Sequence, residues 1–371
     1  MVKRSLVVLV LLFTVPFATA DLPLAVNFID VGQGDAIYVQ SPNGKTMLID
    51  GGERNGMAER YLDSIGVKTI DVVVATHPHL DHIGGLPAII QKYDVKQIVM
   101  PRVTSVTTVI YQNLLETIRA KGLRVTEGKA GLAIDFCPSV IIECLAPNSA
   151  EYRDVNDHSI VLKLTQGDVS FLLTGDATAV SEREMLQHHS DKLKSTVLKI
   201  GHHGSSTSST VAFMNAVNPQ YAVFCVGRDN SYGHPTQEVW NRVSGLSIFR
   251  TDVQGTIILT SDGKTVAAYG AFVNGQYPEM TPYRGALRLT QPVAQPIAQP
   301  IARPPPPVAQ PIAQPVVQPI AQTASNDIVY RTNTGRMYHR EGCRSLSQSQ
   351  IPISRSDAIR RGLTACSVCN P

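Results

Sequence analysis

Thr76-His77-Pro78-His79-Leu80-Asp81-His82 follows directly on the apolar run Val72-Val73-Val74-Ala75. An apolar run that stops at a polar cluster reads as a buried strand handing the chain to a loop. Three histidines and an aspartate fall within His77–His82. Imidazole and carboxylate at that density suit borderline divalent metals such as zinc, manganese or iron. His77 and His79, two apart, project the same way from an extended segment. Asp81 and His82 can then turn to a second point a few ångströms away. A solvated polar loop has no need of four ligand-type side chains so close together.

The same pattern recurs along the chain. Leu24–Ile29 alternates like a strand and ends at Asp30-Val31-Gly32-Gln33-Gly34-Asp35. Hairpin strands over 36–40 and 45–49 end at Asp50-Gly51-Gly52. Further strands end at Asp176, at His202-His203-Gly204-Ser205-Ser206 and before Tyr232-Gly233-His234-Pro235, and a loop leads to His158. Helices are expected over 57–65, 86–93, 109–121, 181–188 and 237–243, closed by glycine at Gly66 and Gly122. Residues 132–145 read as two strands, and 248–250, 255–260 and 265–269 as closing strands. Strands that pair first as meanders and then alternate with helices predict an α/β fold, a four-layer αββα sandwich. Metal-competent side chains at successive strand ends converge on one rim of such a sandwich, where ligand sites form.

The two ends differ from this body. Lys3 and Arg4, the apolar run Leu6–Phe13 and Ala18-Thr19-Ala20 read as a secretory signal over 1–20. The expected location is therefore secreted or periplasmic, with no membrane span after cleavage. The main body is expected over 21–288 and a linker rich in Pro, Gln and Ala over 289–325. Such a linker is a semi-rigid polyproline spacer, or a docking segment for a proline-binding partner. The tail, 326–371, carries His339, Cys343, Cys366 and Cys369, a complete tetrahedral zinc set with no position left for water. A piece that small needs a staple, so one structural zinc is expected there rather than a redox pair or disulfide. Cys137 and Cys144 could pair or stay as buried thiols. Of the formal charge of +3, Lys3, Arg4 and Arg303 are positive and the tail holds seven arginines against three acids, so the body is net negative. That disfavours passive, charge-driven binding of nucleic acid to the body.

The set Asp50, His77-x-His79-x-Asp81-His82, His158, Asp176 and His234 resembles the metallo-β-lactamase fold superfamily over roughly 24–270. Asp30-Val31-Gly32-Gln33-Gly34-Asp35, Leu173-Thr174-Gly175-Asp176 and Leu198-Lys199-Ile200-Gly201-His202-His203-Gly204-Ser205 look like the soluble hydrolase domain of ComEC-type competence proteins. In that family the domain accompanies a membrane channel for DNA uptake and is thought to degrade the strand not imported. Here a signal-like segment stands in place of the channel. The tail is similar to small Ada-like, Cys-rich metal-binding modules.

The resemblance implies two divalent ions, zinc or manganese. His77, His79 and His158 would hold the first. Asp81, His82 and His234 would hold the second, with Asp176 between them. Competence-branch relatives often carry Asn at the position of His158, which would leave the first ion loosely held. His234 is favoured over His202 and His203 as the last ligand. His203 is expected as general acid or phosphate contact, Ser205, Ser206 and His202 as substrate contacts, and Asp50 as the group that orients a ligand or water. Asp30 and Asp35 read equally as turn formers. The expected activity is that of a metal-dependent phosphodiesterase or nuclease acting on DNA or RNA through a dinuclear, metal-activated hydroxide. The same chemistry would serve amide, ester, lactone or β-lactam hydrolysis. A non-catalytic surface or binding protein is the third reading.

Overall fold

The computed structural model describes residues 22–271, 276 and 278–284, and in the tail 328–332, 337–340, 343, 346, 351–355, 358, 363–366 and 369. The expected signal segment and linker lie outside them. The described residues divide into two compact units, the larger of them within residues 1–292.

In the large unit the first half runs β1 (Leu24–Phe28), β2 (Ile37–Gln40), β3 (Thr46–Ile49), α1 (Met57–Ser64), β4 (Thr69–Val74), α2 (Leu80–Ile83), α3 (Leu86–Lys92), β5 (Asp94–Met100), α4 (Val109–Ala120) and β6 (Val125–Glu127). The second half runs β7 (Ile141–Ala146), β8 (Val161–Gln166), β9 (Val169–Leu173), α5 (Ala179–His188), β10 (Val197–Lys199), α6 (Val211–Val217), β11 (Tyr221–Phe224), α7 (Gln237–Val243), β12 (Ser247–Arg250), α8 (Thr251–Gln254), β13 (Ile257–Ser261) and β14 (Val266–Gly270).

These strands form two sheets, ordered β14-β13-β1-β2-β3-β4-β5-β6 and β12-β11-β10-β9-β8-β7. Each has an antiparallel and a parallel part. β3, β4, β5 and β6 run parallel in the first, and β9, β10, β11 and β12 in the second. Period-two alternation splits each strand between layers. Val26 and Phe28 of β1, Val72 and Val74 of β4, and Phe171 and Leu173 of β9 fill the layer between the sheets. Val73 of β4 faces the other way, to Leu62, Leu86, Ile90 and Leu114 on α1, α3 and α4. Leu172 and Leu198 face Met185, Phe213 and Val239 on α5, α6 and α7. The result is the expected αββα sandwich, and the end of β4, Val72–Val74, is continuously apolar because both its faces are covered.

Threonine caps set three helix starts. Thr178, Thr210 and Thr236 each accept a hydrogen bond from the first turn of α5, α6 and α7. The first of the two strands expected within 132–145 is reduced to two isolated bridges, Ala133 with Glu143 and Cys137 with Val140. Pro138 lies between the bridging residues and has no N–H to extend the ladder. Cys137 and Cys144 are separate buried thiols, not a disulfide. Among the described residues no helix is long and apolar enough to cross a membrane.

The described tail forms a four-stranded sheet, ordered β17-β15-β16-β18, from β15 (Ile328–Arg331), β16 (Met337–His339), β17 (Ile351–Ser354) and β18 (Thr364–Ala365). Its buried core is small: Val329, Tyr338 and Ala358. Donor atoms of His339, Cys343, Cys366 and Cys369 all lie within 4.8 Å of one another, so the set could hold the expected zinc. Cys366 N donates to Tyr338 O at 3.0 Å, which ties this set to the sheet.

Phe171 is fully buried between the sheets. Replacing it with alanine removes its transfer energy and leaves a cavity, so Phe171→Ala is expected to cost about 3–5 kcal/mol, read from urea unfolding.

Candidate metal centre

The polar residues singled out by sequence sit where parallel strands end, the rim at which α/β folds place ligands. β3 leads to Asp50 and β4 to Thr76 and His77. The single turn of α2 carries Asp81 and His82. β9 leads to Asp176, and β10 to His202 and His203. Asp50, His202 and His203 all have left-handed backbone, with φ of 58°, 50° and 54°. Non-glycine residues there cost about 1–3 kcal/mol each, a strain that collects at functional sites. Gly34 has no such freedom to spare for a side chain: a Cβ would lie 2.0 Å from Asp81 O. That close approach lets Asp35 N donate to Asp81 O at 3.1 Å.

Four side chains converge: Asp81, His82, Asp176 and His203, each offering an atom within 4.8 Å of the others. Asp176 Oδ2 lies 3.2 Å from His82 Nε2 and 3.3 Å from His203 Nε2. Asp81 Oδ2 lies 3.3 Å from His203 Nε2 and 3.9 Å from His82 Nε2. The two Nε2 atoms are 3.2 Å apart. Ligands about 2.1 Å from a tetrahedral centre stand about 3.4 Å from each other. The set therefore fits a small divalent ion. Asp176 Oδ1, buried and without a hydrogen-bond partner, adds an unspent acceptor.

Hydrogen bonds behind the rings aim them. His203 Nδ1 lies 2.8 Å from Cys225 O, a carbonyl that can only accept, so Nδ1 donates and Nε2 faces the cluster. His82 Nδ1 lies 2.8 Å from Asp50 Oδ2 in the same sense. Thr76 Oγ1 donates to Asp50 Oδ2 at 2.6 Å, and Thr76 N to Asp50 Oδ1 at 2.8 Å. With its proton spent, Thr76 Oγ1 accepts from His77 Nδ1 at 3.1 Å. One carboxylate thus orients two rings.

Sequence reasoning passed over Lys199 and left Asp35 open between a turn former and a site residue. Lys199 is fully buried, its Nζ 2.6 Å from Asp35 Oδ2, 2.8 Å from Gly175 O and 3.7 Å from Asp176 Oδ1. Burial disfavours its charge, yet Asp35 and Asp176 hold its pKa above the ordinary lysine range. Burial would also raise Asp176, but His203 and His82 hold it well below the usual carboxylate range. The further grouping of Asp35 and Asp50 around His82 is already neutralised by Lys199 and capped by Thr76.

His77 and His79 form a second, smaller group. His77 Nε2 lies 3.0 Å from His79 Nδ1 and 3.9 Å from Asp176 Oδ2. His158 is not among the converging donor groups of the described residues. His158 ends a 3-10 turn, Val155–His158, and its ring packs edge-on against Tyr152, centroids 5.0 Å apart. Its Nε2 is buried without a hydrogen-bond partner. Nor does His234 complete the four-ligand set, where the structure places His203. The His234 ring stands beside His202, centroids 5.8 Å apart, and burial first, then His203 and His202, push its pKa down to about 4. His202 lies at the edge of the cluster, its Nε2 3.6 Å from Asp176 Oδ2 and its Nδ1 3.0 Å from Thr207 Oγ1. Ser205 Oγ lies 3.0 Å from the same Thr207 hydroxyl, and Ser206 is exposed. Asp30 forms a turn, accepting from Gly32 N at 3.1 Å.

A family model described as the metallo-beta-lactamase superfamily matches residues 29–228. The chain belongs to this superfamily. The fold is that of a metallo-beta-lactamase domain, and the chain is a metal-dependent hydrolase of that superfamily. Within the superfamily the likeness is to competence proteins of the ComEC type. ComE operon protein 3 of Bacillus subtilis is 29% identical over 271 residues, covering 67% of this chain and 34% of that protein. Competence protein ComA of Neisseria gonorrhoeae is 32% identical over 248 residues, 65% of this chain and 33% of that protein. The endoribonuclease YSH1 of Yarrowia lipolytica is 26% identical over 196 residues, 46% of this chain and 23% of that protein. The chain spans about a third of the length of the competence relatives it matches. Among solved structures, a diphosphatase of the PhnP family superposes with a TM-score of 0.40 at 16% identity, over 65% of this chain and 99% of that one.

Two outcomes follow for this metallo-beta-lactamase domain. Asp50→Asn keeps a residue that tolerates left-handed backbone but removes a carboxylate oxygen from His82 and Thr76. It is expected to weaken metal binding about 10–100-fold, read by competition with a chelating dye. Lys199→Met leaves Asp35 charged and unpaired in the interior and is expected to cost about 3–5 kcal/mol in urea unfolding.

Proposed function

We propose that the protein is an exported, metal-dependent phosphodiesterase that cleaves DNA or RNA. The observation that carries the reading is the four-atom set of Asp81, His82, Asp176 and His203 with near-tetrahedral spacing. Asp81 is its open corner, with a side chain 23% exposed while Asp176 is 1% exposed. Substrate approaches from that side. Divalent ions held there would supply an activated water and neutralise charge on the phosphoryl oxygens.

The chain's own groups take the remaining roles. Asp81, His82, Asp176 and His203 would hold one ion. His77 and His79, with Asp176 between, reach toward a second. His203 has both ring nitrogens engaged, so it holds and does not shuttle a proton. His202, with a side chain 22% exposed and next to Thr207, takes the proton or phosphate contact in its place. Ser205 and Thr207 present hydroxyls to phosphate oxygens. Two ions would also offset the net negative charge of the body. Nucleic acid as substrate is supported by relatives that carry the names competence protein and endoribonuclease. Export is supported by the signal-like pattern of residues 1–20.

Metal-loaded protein is expected to hydrolyse DNA, RNA or bis(4-nitrophenyl) phosphate and to stop after EDTA. Asp81→Ala is expected to lose at least about a hundredfold in kcat with an unchanged circular dichroism spectrum. Full-rate hydrolysis after chelation, or cleavage of a lactone or β-lactam with none of a phosphodiester, would overturn the reading.

A further inference from the structure

Tyr232 stands out among the exposed apolar side chains, with 67% of its surface open to solvent. A single exposed aromatic needs no explanation by itself. This one has a defined mount. Its ring stacks on His234, with centroids 5.7 Å apart and planes 23° from parallel. His234 in turn stands edge-on to His202, whose Nε2 lies 3.6 Å from Asp176 Oδ2. Three rings therefore run in file from a metal-ligating carboxylate to solvent. The phenol is also near enough to Asp81 and His203 for their charges to act on it.

The mount is rigid. Asn230 Oδ1 accepts from His234 N at 2.9 Å, and Asn230 Nδ2 donates to His234 O at 2.8 Å and to Gly227 O at 2.9 Å. Pro235 is buried against Gly204, where a Cβ would come within 2.6 Å of the proline ring. Gly227 N is fixed by Gln33 Oε1 at 3.1 Å. The loop is thus tied to the end of β10 and to the turn after β1, and its tyrosine is presented and not buried.

We propose that Tyr232 is a stacking platform for a nucleobase beside the scissile phosphodiester, and that the substrate is single-stranded. The proposal rests on the phosphodiesterase reading above and adds what sets the substrate's form. A phosphodiester held at Asp81 and His202 brings its flanking base to the outer face of the Tyr232 ring. Any base offers a π-face, so the contact tolerates sequence. Bases within a duplex are already stacked and paired, so only an unpaired strand can use the platform.

The test is equilibrium binding, by fluorescence anisotropy at one fixed salt concentration, with the full metal-loaded chain. The probes are a labelled phosphorothioate oligothymidylate, which resists hydrolysis, and an abasic phosphorothioate oligomer of equal length. Tyr232→Ala is expected to weaken oligothymidylate binding roughly 5- to 150-fold, the range for loss of one stacked base. Tyr232→Phe and Tyr232→Trp should bind as the native protein does. The abasic oligomer should bind the native and Ala forms equally. Equal oligothymidylate binding by native and Ala forms overturns the platform, as does an equal loss on the abasic oligomer or no binding by the native protein. An aromatic-dependent, base-dependent contact in a protein that hydrolyses no phosphodiester would uphold the platform and overturn the activity instead.

Discussion

Asp50 is the constraint on which the centre depends. Its carboxylate takes one ring directly, His82, and a second, His77, through the hydroxyl of Thr76. Each ring is thereby held with Nε2 toward the donors in front of it. The residue can do this because left-handed backbone at the end of β3 turns its side chain back against the end of β4. Parallel pairing of β3 with β4 thus sets the distance between the orienting group and the rings it orients. A fold that paired these strands antiparallel would put Asp50 and Thr76 at opposite ends.

Charge is the second constraint. Asp35, Asp50 and Asp176 are all buried, and uncompensated carboxylates in the interior cost several kcal/mol each. Lys199 offsets part of this from beneath, bonded to Asp35 and to the backbone of Gly175. Thr76 and His82 satisfy Asp50. What remains is the negative charge of buried Asp176 and of Asp81 at the open corner, opposite two ring nitrogens that cannot both donate to each other. A divalent ion satisfies those four atoms together. The protein half neutralises the site, and the other half is left for the ion.

Much of this was legible in the sequence. The apolar run before Thr76, read with strands that first pair and then alternate with helices, led to the sandwich. His77, His79, Asp81, His82, Asp176 and Asp50 were legible because each follows a strand end. Lys199 did carry a signal. Val197 faces the layer between the sheets and Leu198 the helices, so Lys199 has the inward parity of Val197, where a lysine needs a partner. The choice between His203 and His234 was not legible. It turns on two consecutive left-handed residues, which redirect the rings of His202 and His203 in a way residue order does not encode. The turn over Val155–His158, which sets the His158 ring edge-on to Tyr152, is likewise a local geometry that residue order does not encode. β6 is three residues long, Val-Thr-Glu, too short and polar to announce itself.

The tail cluster has a consequence for which metals the chain carries. Three thiols and one imidazole make a soft donor set, whereas the strand-end set of the large unit is all nitrogen and oxygen. Soft thiolates select zinc, while carboxylate and imidazole accept harder ions such as manganese. The two donor sets therefore differ in the ions they would favour. A thiol-reactive reagent would act on the tail set and spare the nitrogen and oxygen donors of the large unit.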